Sequence, residues 1–205
     1  MRLELVPHLG LCRKCGRDAA GLDAEFLCED CRVHRPAFDR GVSAMRFEGT
    51  ARDLVNRYKF RRGLYLMKDL VDILEGAVRA HFKVEEIDSV LPMPSTILHR
   101  FLRGYNQCGY LAKELARRLG KKCRGRVIRR IGNPLRQGGL KEDDRRKNVI
   151  GTFAVRKPEA VAGKTVLVID DVMTTGSTLA ECAKTLKAAG ARRVWVATLA
   201  RSLHT

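Results

Sequence analysis

Near its C-terminus the chain carries a continuous apolar run, Val166–Ile169, and a second apolar stretch, Val194–Leu199, on either side of a segment with helical spacing from Thr178 to Ala189. Unbroken apolar runs mark strands covered on both faces, and a strand, a helix and a strand within some 35 residues predict a βαβ unit with a right-handed crossover. Upstream, Leu66, Leu70, Ile73, Leu74, Ala77, Val78 and Phe82 form one apolar stripe, which predicts a long amphipathic helix. Ala51, Leu54, Val55 and Tyr58 predict a shorter helix before it, and Tyr105 to Leu119 another, closed by Gly120 with Arg117 and Arg118 in its last turn. Gly41 to Phe47, Ile87 to Leu91, Val127 to Ile131, and Phe153 with Val155 read as further strands. Residues 132–148 are charged and carry the breakers Asn133-Pro134 and Gly138-Gly139, which predicts a long loop or hairpin.

A chain of 205 residues suits one α/β domain with a small appendage. No apolar run approaches the roughly 18 residues of a membrane span, and the N-terminus lacks a basic-then-apolar signal, so the expectation is a cytoplasmic protein. Forty Lys and Arg stand against 23 Asp and Glu, a net charge of +17. Spread along the whole length, this excess fits a polyanionic partner, most simply nucleic acid. A solvated surface is the alternative reading, and charge alone does not choose DNA over RNA.

Four of the seven cysteines form two pairs, Cys12-x-x-Cys15 and Cys28-x-x-Cys31. Two such knuckles bring four thiolates into a tetrahedron, the donor set of a closed structural Zn²⁺ site. His8 and His34 flank them as substitute ligands. Cys108, Cys123 and Cys182 are scattered; for the last two a buried or incidental thiol is expected.

The densest chemistry follows the strand Val166–Asp170: Asp170-Asp171-Val172-Met173-Thr174-Thr175-Gly176-Ser177-Thr178. Ligands of open parallel sheets gather at the carboxyl ends of strands. Gly176 permits a tight turn, the hydroxyls offer donors and a helix cap, and the N–H groups opening the next helix form an anion site. Two adjacent acids would repel a bare phosphate, so they call for sugar hydroxyls or a hydrated Mg²⁺ beside it. Together these features point to a ribose 5-phosphate. Gly163-Lys164-Thr165 resembles the end of an ATP-binding loop, but Pro158 stands where that motif needs glycine and a strand follows instead of a helix.

The run Val166–Thr178, VLVIDDVMTTGST, resembles the phosphoribosyl-pyrophosphate (PRPP) signature of type I phosphoribosyltransferases. The four-cysteine segment, Tyr58-Lys59-Phe60, Pro92-Met93-Pro94 with Arg100, Arg103-Gly104-Tyr105-Asn106-Gln107, and Asn148 ahead of Gly151-Thr152-Phe153 extend the likeness to ComF competence proteins and their GntX-like relatives. The resemblance implies a type I phosphoribosyltransferase-like α/β fold: an open, mainly parallel twisted sheet with flanking helices (residues 39–205) behind a small zinc-binding module (residues 1–38). By that resemblance Asp170 and Asp171 face the ribose hydroxyls, Thr174–Thr178 wrap the 5-phosphate, and Leu91–Ser95 occupies the pyrophosphate loop. Pro94, Ser95, Arg100, Arg103, Arg136, Arg145 and Arg146 are then candidate contacts for pyrophosphate or nucleic acid, with Lys141 beside them.

Two functions follow. The ComF likeness implies a PRPP-binding protein that handles incoming single-stranded DNA during natural transformation, at the inner face of the membrane beside an uptake helicase or other competence proteins. Tyr58, Phe60, Phe101 and Tyr105 are its candidate stacking platforms. The alternative is a metabolic phosphoribosyltransferase carrying ribose 5-phosphate to a nitrogen nucleophile. For that the sequence offers no evident base-recognition hood and no proton-transfer group.

Overall fold

A computed structural model describes residues 5–6, 10–19, 26–60, 63–95, 106–131 and 149–202. Its centre is a five-stranded parallel sheet built from β1 (Arg40–Arg46), β2 (Ser89–Pro92), β3 (Lys122–Cys123), β6 (Thr165–Met173) and β7 (Arg193–Arg201), in the order β1-β7-β6-β2-β3. A separate antiparallel hairpin pairs β4 (Ile128–Arg130) with β5 (Phe153–Val155). Period-two alternation in the central strands sorts their side chains between two cores. Leu167, Ile169, Trp195, Ala197 and Leu199 face α2 (Gly49–Phe60), α3 (Met67–His81) and α4 (Gln107–Arg118). Val166, Val168, Val194 and Val196 face α5 (Ser177–Ala188), the hairpin and the four-cysteine segment. Both faces are dry, which is why these strands read as continuous apolar runs.

The predicted βαβ unit is β6–α5–β7, and the predicted stripe is α3, whose Leu70, Val71, Leu74 and Val78 are buried. Phe82 follows it and stacks on Trp195 with ring centroids 4.9 Å apart. Two elements differ from expectation. β6 does not stop at Asp170 but continues to Met173, because Asp170, Val172 and Met173 keep pairing with Thr198, Ala200 and Arg201 of β7. The two acids are therefore strand residues. β3 lies outside the expected strands; its two residues are exposed and carry no periodic signal.

The N-terminal segment is fastened to the β1 edge. Val6 N–H donates to the Ala44 carbonyl (3.1 Å), Gly41 N–H to Lys14 O (2.7 Å), and Arg46 Nε to Asp18 Oδ2 (2.9 Å). A short helix, α1 (Glu29–His34), begins directly after Cys28. Gly16 sits at φ +69°, and a Cβ there would stand 2.5 Å from the Gly41 carbonyl oxygen. Among the described residues no helix is long and apolar enough to cross a membrane.

Gly16→Ala should therefore cost at least about 2 kcal/mol, the upper end of the left-handed penalty, before the backbone clash is counted. Thermal unfolding should show a Tm lower by roughly 4–8 °C. A variant melting with the wild type would mean that the segment does not dock where Gly16 meets Gly41.

Candidate functional site

In the sheet order, β2 leads through α4 to β3 on one side, while β6 leads through α5 to β7 on the other. The crevice between the carboxyl ends of β2 and β6 is thus a topological switch point, where open α/β sheets hold ligands. The register sets Pro92 opposite Ile169, and Met93 N–H donates to Ile169 O (2.8 Å), so Pro94 and Ser95 leave the sheet beside Asp170 and Asp171.

Asp171 is buried to 8% exposure, and its Oδ2 lies 2.9 Å from Lys59 Nζ at the end of α2. Its Oδ1 accepts the Val172 N–H (2.7 Å), while Asp170 Oδ1 accepts the Asp171 N–H (2.9 Å). The Cys108 thiol, in the first turn of α4, donates to Asp170 Oδ1 (3.3 Å). Burial, and then the charge of Asp171, push the Asp170 carboxyl up to about 7. Burial, and then Asp170, push the Cys108 thiol well above its ordinary range, so it stays a protonated donor. Two pieces of the sequence meet behind these acids. Tyr58 Oη donates to Gln107 O (2.9 Å), and Gln107 Nε2 donates to Lys59 O (2.9 Å), locking the end of α2 to the start of α4.

Three buried polar atoms near this crevice have no hydrogen-bond partner among the described residues: Ser95 Oγ, Asn106 Oδ1 and Arg130 Nε. Asn106 stands at the N-cap of α4 without capping it. Arg130, in β4, feels the Asp170 charge and packs over the Phe153 ring at 5.4 Å; burial lowers its pKa. Buried groups of this kind are costly unless something pairs with them.

Beyond Met173 the chain turns at Gly176, whose φ of +76° favours glycine, while a Cβ there would meet only ordinary contacts. The turn, rather than close approach, requires the glycine. Thr175 Oγ1 accepts the Ser177 N–H (3.3 Å) and lies 2.9 Å from Ser177 Oγ, and Ala180 N–H closes the first helical bond to Gly176 O (2.8 Å). Thr174 is exposed, and the N–H groups of the first turn of α5 lack intrahelical acceptors, as at the start of any helix. This turn of hydroxyls and helix-opening N–H groups stands next to two carboxylates. The carboxylate oxygens and the Cys108 sulfur lie within 4.8 Å of one another, close enough to share a divalent cation.

The Sγ atoms of Cys12, Cys15, Cys28 and Cys31 also lie within 4.8 Å of one another, all buried, and Cys15 and Cys28 are 3.7 Å apart. Tetrahedral Zn–S bonds of about 2.3 Å set neighbouring sulfurs roughly 3.8 Å apart, so this donor set fits Zn²⁺. Cys28 N–H points at Cys12 Sγ (3.4 Å). The thiols share protons unevenly: hydrogen bonds from Cys15 and Cys31 hold Cys12 below the ordinary thiol range, and the same contacts raise Cys31. His34 is exposed, lies 4.0 Å from Asp30, and takes no place in the cluster. A buried cation stands behind the cysteines: Arg201 Nη1 donates to Cys15 O (2.9 Å) and touches Met173 Sδ (3.0 Å). The cysteine segment and the turn of α5 thereby share one anchor, with a cavity of about 270 Å³ between them lined by Phe38, Thr175, Ser177 and Arg201.

Several expectations change here. Tyr58 is fully buried, so it is no stacking platform. Arg100, Arg103, Arg136, Lys141, Arg145, Arg146, Phe101, Tyr105, His8, Asn148 and the Phe60 side chain lie outside the described residues. Sequence reading missed Arg130, Cys108 and Arg201 as site neighbours, because their roles arise from contacts distant in sequence. Lys59 had a signal, since it sits in a motif of the family likeness.

With Asp170 raised above its unfolded value, the folded chain binds the extra proton between about pH 4 and 7, so this group lowers stability as pH rises through that window. Asp170→Asn should flatten the decline and raise the Tm at pH 8 relative to wild type. A melting curve against pH that falls equally in both proteins would contradict the assignment.

The family model described as "Phosphoribosyl transferase domain" matches residues 106–205. Competence protein F of Haemophilus influenzae is 31% identical, over 98% of this chain and 87% of its own length. The DNA utilization protein YhgH of Salmonella typhimurium is also 31% identical, over 96% and 86%. Among solved structures, adenine phosphoribosyltransferase of Saccharomyces cerevisiae aligns with TM-score 0.41 and 22% identity, covering 68% of this chain and 72% of that one. With such identity sustained from the cysteine segment to the end of the sheet, the chain belongs to the competence protein F family.

Proposed function

We propose that this protein binds PRPP with Mg²⁺ at the crevice between β2 and β6 and handles incoming single-stranded DNA in the cytoplasm during natural transformation. One observation carries the ligand reading. An acid pair, one member held by Lys59 and the other by Cys108, stands beside the hydroxyl-rich turn that opens α5. In this reading Asp170 and Asp171 take the ribose hydroxyls and Thr174–Thr178 take the 5-phosphate. Val172 and Met173 complete the strand end, and Pro94 and Ser95, joined by Arg130, face the pyrophosphate. When bound, Mg²⁺ bridges pyrophosphate oxygens and offsets their charge. The DNA reading draws on the names of the relatives, competence and DNA utilization, and on the net charge of +17. The protein works at the inner face of the membrane beside an uptake helicase or other competence proteins. The four cysteines hold structural Zn²⁺ in a module spanning residues 1–38, and residues 39–205 form the PRPP-binding domain.

Transfer of ribose 5-phosphate to a nitrogen nucleophile is the second reading, favoured only by the matching domain. Isothermal titration separates the two. Wild type should bind PRPP with Mg²⁺, and Asp171→Asn should lose at least about tenfold in affinity, the cost of one charged hydrogen-bond acceptor. Oligothymidylate binding should persist in that variant and weaken as salt rises. Pyrophosphate release with a nucleobase panel would move the assignment to the transferase, and absence of oligothymidylate binding at low salt would remove the DNA role.

Cys12→Ser with Cys15→Ser should lower zinc to well below one equivalent by elemental analysis and destabilise the N-terminal segment, because structural zinc supplies on the order of 10 kcal/mol to so small a unit. Full zinc content in that double variant would place the metal elsewhere.

A further inference from the structure

The positive charge of this protein is unevenly available. On the α3–α4 face arginines are consumed by carboxylates. Arg79 pairs with Glu75 (2.8 Å), Arg117 with Glu114 (2.6 Å), and Arg118 with Glu114 (3.1 Å), Glu75 (3.3 Å) and Asp72. In the four-cysteine segment Arg17 is likewise held by Asp30, but its other cations are not. Beside this segment lies a cleft of about 660 Å³ whose wall carries Arg13, Lys14, Arg32 and Arg35 over the apolar Leu27 and Pro36. Its one carboxylate, Asp39, is already held by Lys187 Nζ (2.8 Å) and by the Val194 N–H (2.6 Å). Among the described residues no carboxylate pairs with any of the four cations, and Arg13, Arg32 and Arg35 are exposed. Arg35 holds a left-handed backbone, φ 43°, where glycine is the usual residue; a long basic side chain is kept there instead.

We propose that this cleft is the track for single-stranded nucleic acid, its phosphodiesters neutralised by Arg13, Lys14, Arg32 and Arg35 and its sugars and base faces resting on Leu27 and Pro36. The inference rests on the DNA-handling reading and locates it on the metal-binding segment, away from the PRPP crevice. A concave cleft admits one strand and excludes the stiff duplex. Cations on a fixed scaffold follow a backbone without reading sequence, so binding is sequence-tolerant and salt-dependent. Arg35 and Pro36 also line the cavity beside Thr175 and Ser177, so the track runs up to the phosphate turn without crossing it.

The test uses the full-length, zinc-loaded protein and fluorescent oligothymidylate, with affinity read by anisotropy between about 50 and 200 mM NaCl. Substituting Arg13, Lys14, Arg32 and Arg35 together by Gln should flatten the slope of log K against log salt by about 2.8, or 0.7 for each phosphate no longer neutralised. Those four cations alone account for about a fiftyfold fall in wild-type affinity across that salt range. The paired variants Arg13→Gln with Lys14→Gln, and Arg32→Gln with Arg35→Gln, should each flatten the slope by about 1.4. A charge-matched control at the exposed Lys122, Arg126, Arg129 and Lys157 should leave it unchanged. Unaltered zinc content and an unaltered thermal shift with PRPP and Mg²⁺ establish that the variants are folded. A wild-type slope in the cleft variants overturns the proposal while leaving DNA handling in place, and so does an equal loss in the control. Loss of polyglutamate binding with oligothymidylate binding intact overturns it in favour of an acidic protein partner. A wild type that binds no oligothymidylate overturns both readings together.

Discussion

Two carboxylates at consecutive positions of the central strand set the terms for everything around them. Because β6 continues through Asp170 and Asp171, both acids stand on the strand with their carboxylates close together, and each needs its own partner. Asp171 takes Lys59 at the end of α2 as counter-ion; Asp170 takes a thiol proton from the first turn of α4. Burial and the neighbouring charge push the Asp170 carboxyl up to about 7, while Asp171 keeps the Lys59 ammonium beside it. Two acids this close repel each other, which creates a demand for compensating donors or positive charge around them.

That demand explains the otherwise indirect lock behind the acids. Lys59 reaches Asp171 only if the end of α2 is held, and it is held by Gln107 gripping the Lys59 carbonyl while Tyr58 grips Gln107. Gln107 is itself buried, so its amide hydrogen bond is difficult to give up. Cys108, the next residue, is positioned for Asp170 by the same lock. One junction between two helices thus sets the surroundings of both carboxylates. It also accounts for why Tyr58 is unavailable to any ligand: its ring is core, and its hydroxyl is part of the clamp.

How much of this is readable in the sequence follows from the range of each interaction. The central strands are legible because burial on both faces leaves an unbroken apolar run, and α3 because one buried stripe repeats at helical spacing. The hydroxyl-rich turn is legible for a similar reason: a glycine at positive φ and hydroxyls before a helix are local features. The cysteine cluster announces itself through two knuckles, each short enough to be local. The extent of β6 is not legible, because Asp-Asp reads as a strand end unless one knows that β7 is long enough to keep pairing. Arg130, Cys108 and Arg201 are silent for the same reason, since only the folded sheet brings a hairpin, a helix start and a strand end to one crevice. Arg201 looks like a terminal basic residue in the sequence; in the structure it lies 2.9 Å from Cys15 O, at the back of a cysteine cluster formed nearly two hundred residues earlier.

The location of Arg201 bears on why the cysteine segment is part of this fold at all. A guanidinium at 2% exposure is expensive unless negative charge stands near it. A divalent ion held by the four thiolates would leave a net charge of about −2 and supply that compensation beside it. The same guanidinium touches Met173, the last residue of β6, whose backbone leads into the phosphate turn. The cluster therefore does more than stabilise a small appendage: through one arginine it is packed against the last residue of β6, while its outer surface carries cations that no carboxylate among the described residues claims. In the proposed reading the two faces of this small segment serve different anions, an inner one bracing the turn for a phosphorylated sugar and an outer one open to a polymer.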